Sequence, residues 1–344
     1  MLHPELTREE PGSLQRYFEA MGSPQALQDK LHFVAPILLE RIRRGEPTKV
    51  LSLGAGGAQV ETFLTRMSPL VSVITLDLSE AILNLARANF RSEQQRCTDA
   101  SLTMSFAIAN ALSVPLAAAS MDVVLLSSLG HEVVSYQEKS PTAEREPLWQ
   151  YGPMMVRLYQ EAARCLKRGG KLVNRDFVMP ENSQELVRMQ VGTSRVTEKR
   201  QPLTFVRDFA NDFRGHDLSE VQQQILHLEN ENAWEPGSCL TLTKAAAFEF
   251  FVHYSWRGSY DDEVDQRYAY LTNPELKRFI ETHTRQSGSQ LTVTAQHAYM
   301  QPEYTKYVTN DGLSFREING NTWEPSGMTG VTIAEKTPLA TTAK

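Results

Sequence analysis

The sequence predicts an α/β protein built on a mostly parallel sheet. Two observations carry this. From residue 49 onward, short apolar runs alternate with stretches whose apolar residues recur at helical spacing. The first of those runs, "KVLSLGAGGAQVETFL" at 49–64, breaks into small residues before the helical spacing resumes. Strands separated by helices are joined by right-handed crossovers, and such crossovers make neighbouring strands parallel. A strand, a glycine turn and a helix start in succession also form a cradle for a nucleotide-like ligand, because free helix N–H groups lie just beyond the turn.

The elements follow in order. Residues 12–45 read as helix, with Ser23 and Pro24 as a start signal, Gly45 as a stop, and Leu27, Leu31, Val34, Ile37, Leu38 and Ile42 near helical spacing. "KVLSLG", "VSVITLDLS", "LTMSFAIANA", "MDVVLLSSLG" and "KLVNRDFVMP" read as five strands. "AQVETFLTRM", "SEAILNLARANFRSEQQ" and "MMVRLYQEAARCLKRGG" read as helices between them, the last ending in glycine. After Pro180 the chain turns polar, with helical stretches "LSEVQQQILHLENE" and "TKAAAFEFFVHYSW". Then "NPELKRFIETHTRQSG" predicts a helix, "QLTVTAQHAYM" a strand, "YTKYVTNDGLSFREI" a hairpin around Asn310, Asp311 and Gly312, and "TGVTIAEKT" a last strand.

Five segments result: a helical segment at 1–46, a ligand-binding core at 47–180, a mainly helical insertion at 181–272, a completion of the core sheet with a hairpin at 273–337, and a tail at 338–344. The insertion reads as a cap over the open end of the sheet, because "GVTIAEK" needs a sheet to join. A separate second domain is the alternative.

Composition narrows the function. The chain has 344 residues, 35 Lys and Arg against 41 Asp and Glu, and a net charge of −6. Proteins that live on a nucleic-acid backbone show a basic excess, so a small ligand is expected and nucleic acid is disfavoured. The three cysteines, Cys97, Cys165 and Cys239, form no C-x-x-C pair, so neither a zinc site nor a disulfide framework is expected. No secretory signal and no run of eighteen apolar residues is present, so a cytoplasmic protein without a membrane span is expected.

Ligands of such sheets bind at the carboxyl ends of the strands. Gly54 and Gly56 remove Cβ atoms where a ligand approaches the backbone. A dinucleotide fingerprint needs glycine at position 59, which is Gln59. Asp77, 23 residues after Gly54, ends the second strand, where a carboxylate accepts from both hydroxyls of a ribose. It also suits a helix N-cap, a role that Ser79 can take instead. Asn110, followed by the small Ala111, ends the third strand, and its side-chain carbonyl suits an exocyclic amine or an ordinary turn.

Together, "VLSLGAGGA", "VITLDLS", "AIANALSVPL", "MDVVLLSSLGHEV" and "EAARCLKRGGKLVNRDF" resemble the class I S-adenosylmethionine-dependent methyltransferases, over 49–180 and more loosely 273–336. The resemblance implies a three-layer Rossmann-like fold, with a seven-stranded sheet whose last strand is antiparallel, and S-adenosylmethionine as cofactor. It implies that Gly54, Ala55 and Gly56 line the methionine part, Asp77 holds the ribose, and Leu78 packs on the adenine. Asn110 and Ala111 then meet the adenine edge, and Ser127 lies beneath the sulfonium. Two positions depart from the family. Ser52 stands where an acidic residue is usual, which removes a partner for the cofactor's amino group. Ala58 stands where a third glycine is frequent, with the extra glycine at Gly57.

The reacting end follows strand four. His131 has the intrinsic pKa of a base near neutrality, although a packing or capping histidine is the simpler role. Glu132 suits orienting His131 or pairing with a cationic substrate, and Tyr136 is one turn further on. Arg175 and Asp176 either pair with each other at the sheet edge or bind a charged substrate. In the insertion, Tyr254 and Trp256 are candidates for an aromatic substrate wall, or belong to its core. The expected function is methyl transfer to an oxygen or nitrogen of a small molecule, with His131 as base and no metal. A methyltransferase acting on tRNA or another polynucleotide, and a non-catalytic cofactor-binding module, are the alternatives.

Overall fold

The computed structural model describes residues 23–54, 56–96, 102–138, 152–192, 202–213, 215–255, 264, 266–268, 270–286, 288–301, 304, 312–325 and 328–339. The chain divides into two compact units. The first comprises Met1–Asp176, Asn273–His297 and Gly330–Lys344, and the second Phe177–Thr272 and Ala298–Thr329.

The first unit opens with α1 (Pro24–Arg43). Ser23 caps it, its Oγ accepting from the Ala26 N–H at 3.3 Å, and Leu31, Val34 and Leu38 form its buried stripe. Then come β1 (Thr48–Leu53), α2 (Gln59–Arg66), β2 (Val71–Asp77), α3 (Glu80–Arg96), β3 (Thr103–Ile108), β4 (Met121–Ser127), α4 (Gly130–Glu138), α5 (Pro153–Cys165) and β5 (Leu166–Phe177). After the second unit's first stretch the unit is completed by α9 (Asn273–His283), β8 (Ser289–Tyr299) and β10 (Thr329–Pro338). The sheet order is β3-β2-β1-β4-β5-β10-β8. The pairs β1–β2, β1–β4, β2–β3 and β4–β5 are parallel.

The central strands are apolar throughout because both faces of a parallel sheet are covered. Val50, Leu51, Leu53, Val123, Val124 and Leu126 have no exposed surface. The last strand runs against its neighbours. Leu166 and Lys171 of β5 meet Lys336 and Glu335, and Thr292 and Gln296 of β8 meet Thr337 and Thr332, so numbers rise on one strand as they fall on β10. This is the antiparallel closing strand that the resemblance implied.

Two details differ from the expected elements. Helix α5 ends at Cys165, ahead of the glycine pair, because Leu166 is already extended. Gly169 and Gly170 instead serve a register shift at the start of β5, where Met121 pairs Leu166 but Val123 pairs Lys171. Gly169 holds φ +76°, and a Cβ on Gly170 would come within 2.9 Å of the Lys167 carbonyl oxygen.

The second unit is an insertion built mainly on helices, with α6 (Pro202–Asp212), α7 (Ser219–Asn230) and α8 (Lys244–Ser255). It also holds a three-stranded antiparallel sheet of β7 (Cys239–Thr243), β6 (Leu186–Gln190) and β9 (Ser314–Glu317), which the sequence reading did not separate from the helices. Helix α8 is buried from Lys244 to Tyr254, as expected of a helix that is apolar on all sides. The segment read as a hairpin of the core sheet is divided. Asn310 and Asp311 lie outside the described residues, and Ser314–Glu317 pairs with β6 of the second unit. No described helix is long and apolar enough to cross a membrane. Among the described residues no group of three or more His, Cys, Asp or Glu side chains is placed to hold a metal ion.

Candidate functional site

The residues picked out by chemistry sit at the carboxyl ends of β1 to β5. After β1, Gly54 turns with φ +81° and donates its N–H to the Leu76 carbonyl at 2.9 Å, so the turn is tied to β2. From α3, Asn89 donates to the Gly57 carbonyl at 3.0 Å. Ala58 is left-handed at φ 55° and buried, and its carbonyl accepts the Thr62 N–H that opens α2. An L-residue there costs about 1–2 kcal/mol that glycine would not.

At the end of β2, Asp77 Oδ1 accepts the Ser79 N–H at 2.9 Å, while Ser79 Oγ caps α3 through the Ile82 N–H at 3.2 Å. The division of labour is the expected one, since Ser79 takes the cap. Leu78 is 59% exposed and Ile108, paired with Asp77 in the register of β2 and β3, is 55% exposed. Two large apolar side chains thus stand open beside a carboxylate. Ile108 was missed in the sequence because it reads as an ordinary strand residue. Asn110 is exposed, and its Oδ1 accepts the Leu112 N–H at 2.8 Å in a turn of its own, with Ala111 next to it. At the end of β4, the buried Ser127 Oγ has no hydrogen-bond partner among the described residues. Ala55 lies outside the described residues.

The loop from β4 into α4 is held by β5. Ser128 is left-handed at φ 58°, and its N–H donates to the Arg175 carbonyl at 2.7 Å. His131, on the first turn of α4, is 5% exposed and Asp176 is 2% exposed. Asp176 Oδ1 is 2.6 Å from His131 Nδ1, and its Oδ2 accepts the His131 backbone N–H at 3.1 Å. One carboxylate thereby orients the ring and caps the positive end of the helix. His131 thus has Asp176 as a partner, and Glu132 stands half-buried on the same turn. Tyr136 lies further along α4.

Arg175 and Asp176 do not pair with each other. Consecutive strand residues face opposite sides of the sheet, and Arg175 reaches Asp29 of α1 instead, with its Nε 2.9 Å from Oδ2 and a second contact through a terminal nitrogen. Both side chains of this pair are buried. Removing one partner of a buried pair leaves an uncompensated charge. Asp29→Ala should therefore lower stability by about 3–5 kcal/mol, read as a shift of the urea midpoint. The double change Asp29→Leu with Arg175→Met should recover most of that loss. A single variant within about 1 kcal/mol of the parent would show that the pair is solvated in solution.

Lys30 of α1 and Glu61 of α2 feel each other's charge. Burial pushes the Lys30 amine down to about 8, with Arg175 adding to the shift and Glu61 and Asp29 opposing it. Burial likewise pushes the Glu61 carboxyl up, opposed by the Ser52 hydrogen bond and by Lys30. Sequence reasoning missed both residues, because a Lys on an amphipathic helix and a Glu in a first helical turn are ordinary there.

Tyr254 is corrected. It has no exposed surface and packs on Phe205 and Phe250, with ring centroids at 5.3 and 5.7 Å, so it belongs to the aromatic core of the second unit. Its apolar ring contributes more buried in that core than as the wall of a site. Trp256 lies outside the described residues.

The parallel order, the glycine turn after β1 and the carboxylate ending β2 define a Rossmann-like ligand-binding domain. Residues 51–174 match the family model described as a methyltransferase domain. It is similar to the solved structure of a candidate methyltransferase from Bacillus halodurans, at 14% identity, covering 87% of this chain and 98% of that one, with a TM-score of 0.44. It is similar to an S-adenosylmethionine-dependent methyltransferase from Methanosarcina mazei, at 14% identity over 86% and 97% of the two chains, TM-score 0.40. A third is a candidate methyltransferase solved in complex with a methyltransferase activator from Haloferax volcanii, at 14% identity over 93% and 97%, TM-score 0.41. No curated protein matches the chain.

Proposed function

We propose that the carboxyl-end rim of the sheet holds S-adenosylmethionine, and that the enzyme moves its methyl group to an oxygen or nitrogen of a small molecule with His131 as the base. Several features of the rim support the reading. Leu78 and Ile108 are exposed apolar side chains suited to the adenine, and Asp77 offers a carboxylate held in place for the ribose hydroxyls. Gly54 and Gly56, both at positive φ, let the amino-acid part approach the backbone. Asn110 and Ala111 suit the adenine edge, and the unpartnered Ser127 Oγ suits the sulfur end.

Bound there, S-adenosylmethionine supplies a methyl group on a positively charged sulfur, which an electron-rich atom displaces in line. The observation that carries the base assignment is the buried contact between His131 and Asp176. A carboxylate on Nδ1 keeps the proton there, so Nε2 is the basic nitrogen. It can take the proton of a hydroxyl or ammonium acceptor, an effect worth about 10²–10⁴-fold in rate. Tyr136, Glu132 and the strand-end charges are candidates for holding the acceptor. The small-molecule reading draws on the acidic balance of the chain, 41 Asp and Glu against 35 Lys and Arg.

The test joins calorimetry with S-adenosylmethionine to transfer from cofactor labelled in the methyl group into pools of small hydroxyl and amine compounds and into total RNA. Saturable binding and label in a small product are expected. Label in RNA alone would reassign the acceptor, and absence of binding at millimolar cofactor would remove the reading of the rim.

A further inference from the structure

The family's acidic residue at the end of the first strand is Ser52 here, yet a carboxylate occupies that neighbourhood from another element. Ser52 is the penultimate residue of β1, and Glu61 is the third residue of α2, which leaves the glycine turn. Ser52 Oγ donates to Glu61 Oε1 at 2.6 Å. The helix thus returns to the strand end the charge that the strand lacks. We propose that Glu61, with Thr75 beside it, is the receptor for the ammonium at the amino-acid end of the cofactor. The inference rests on S-adenosylmethionine being the ligand of this rim.

Three features support it. Glu61 is 5% exposed, and the donors given to its carboxylate, the Ser52 hydroxyl and its own backbone N–H, are both neutral. A buried carboxylate needs a cation or several donors to be stable as an ion. Burial displaces Glu61 toward its neutral form. A ligand ammonium at the carboxylate relieves that. Thr75 adds an acceptor. It pairs with Ser52 in the register of β1 and β2, so the two side chains share a face. It is fully buried, and its Oγ1 has no partner among the described residues. An ammonium has three N–H groups to place, and the Glu61 carboxylate and Thr75 Oγ1 are acceptors for them. The competing role is structural, a charge pair that fastens α1 to α2 with no ligand involved.

Calorimetry with three ligands separates these roles. S-adenosylhomocysteine carries the whole amino-acid end, 5′-methylthioadenosine lacks it, and decarboxylated S-adenosylmethionine keeps the ammonium alone. Glu61→Gln should weaken S-adenosylhomocysteine by about tenfold or more, the scale of a charge-assisted hydrogen bond. It should leave 5′-methylthioadenosine within about twofold. Adding Ser52→Asp to Glu61→Gln, which puts the carboxylate on the strand, should recover much of the loss. Thr75→Val should weaken S-adenosylhomocysteine and decarboxylated S-adenosylmethionine and spare 5′-methylthioadenosine, and that split decides the matter if Glu61→Gln does not fold. Equal loss for all ligands with a lower melting temperature, or no loss for S-adenosylhomocysteine, would overturn the proposal. If none of the three ligands binds the parent protein, the reading of the rim fails first, and that outcome is distinct from either.

Discussion

Asp77→Ala should reduce S-adenosylmethionine affinity by two to four orders of magnitude. The carboxylate ends β2 beside the Gly54 turn, and its Oδ1 is already held by the Ser79 N–H. Its orientation is therefore set before a ligand arrives. Two hydrogen bonds from ribose hydroxyls to a charged acceptor are worth about 1.5–3 kcal/mol each, which together make about 10²–10⁴-fold in dissociation constant. Asp77→Asn keeps one acceptor and should fall between alanine and the parent. Calorimetry reads the affinity, and a melting curve checks that the turn survives the lost Ser79 contact. A loss below tenfold in a folded Asp77→Ala protein would remove the ribose from this residue.

His131→Ala should lower turnover by about 10²–10⁴-fold while leaving cofactor affinity near that of the parent. Asp176→Asn should fall by a similar order. The carboxylate serves two donors, the ring nitrogen and the backbone N–H of His131, and an asparagine has one acceptor oxygen to divide between them. The asparagine can also present its NH₂ to Nδ1, which moves the ring proton to Nε2 and turns the base into a donor. Single-turnover rates at saturating cofactor separate chemistry from binding. A His131→Ala protein with full turnover would leave the pair a structural task, the capping of α4 on β5.

Much of the first unit was legible because its signals are local. The runs "KVLSLG" and "MDVVLLSS" are centred on consecutive apolar residues, Val50–Leu51 and Val123–Leu126, and a strand covered on both faces has that composition. Ser23, Pro24 and Gly45 bracket α1 by backbone chemistry that acts within a few residues. The glycine pair at 169–170 was misread as a helix stop because Gly serves helix ends and strand bulges alike. The choice is made by β4, which pairs on either side of the bulge. β9 was assigned to the wrong sheet for the same reason. "LSFRE" pairs with any compatible edge, and β6 lies more than a hundred residues away in sequence.

The sequence by itself determined the parallel core, the glycine turn, the carboxylate at the end of β2 and the position of His131 after β4. Each is a short pattern whose physical cause lies within one strand–turn–helix unit. Tertiary structure decided the partners. Adjacent on one strand, Arg175 and Asp176 part to opposite faces, one to Asp29 of α1 and the other to His131 of α4. Tyr254 went to an aromatic core rather than a site, and Ser52 received the carboxylate of Glu61 from the next helix. A side chain's partner depends on which distant segments fold against it, and the spacing of residues along the chain carries little record of that.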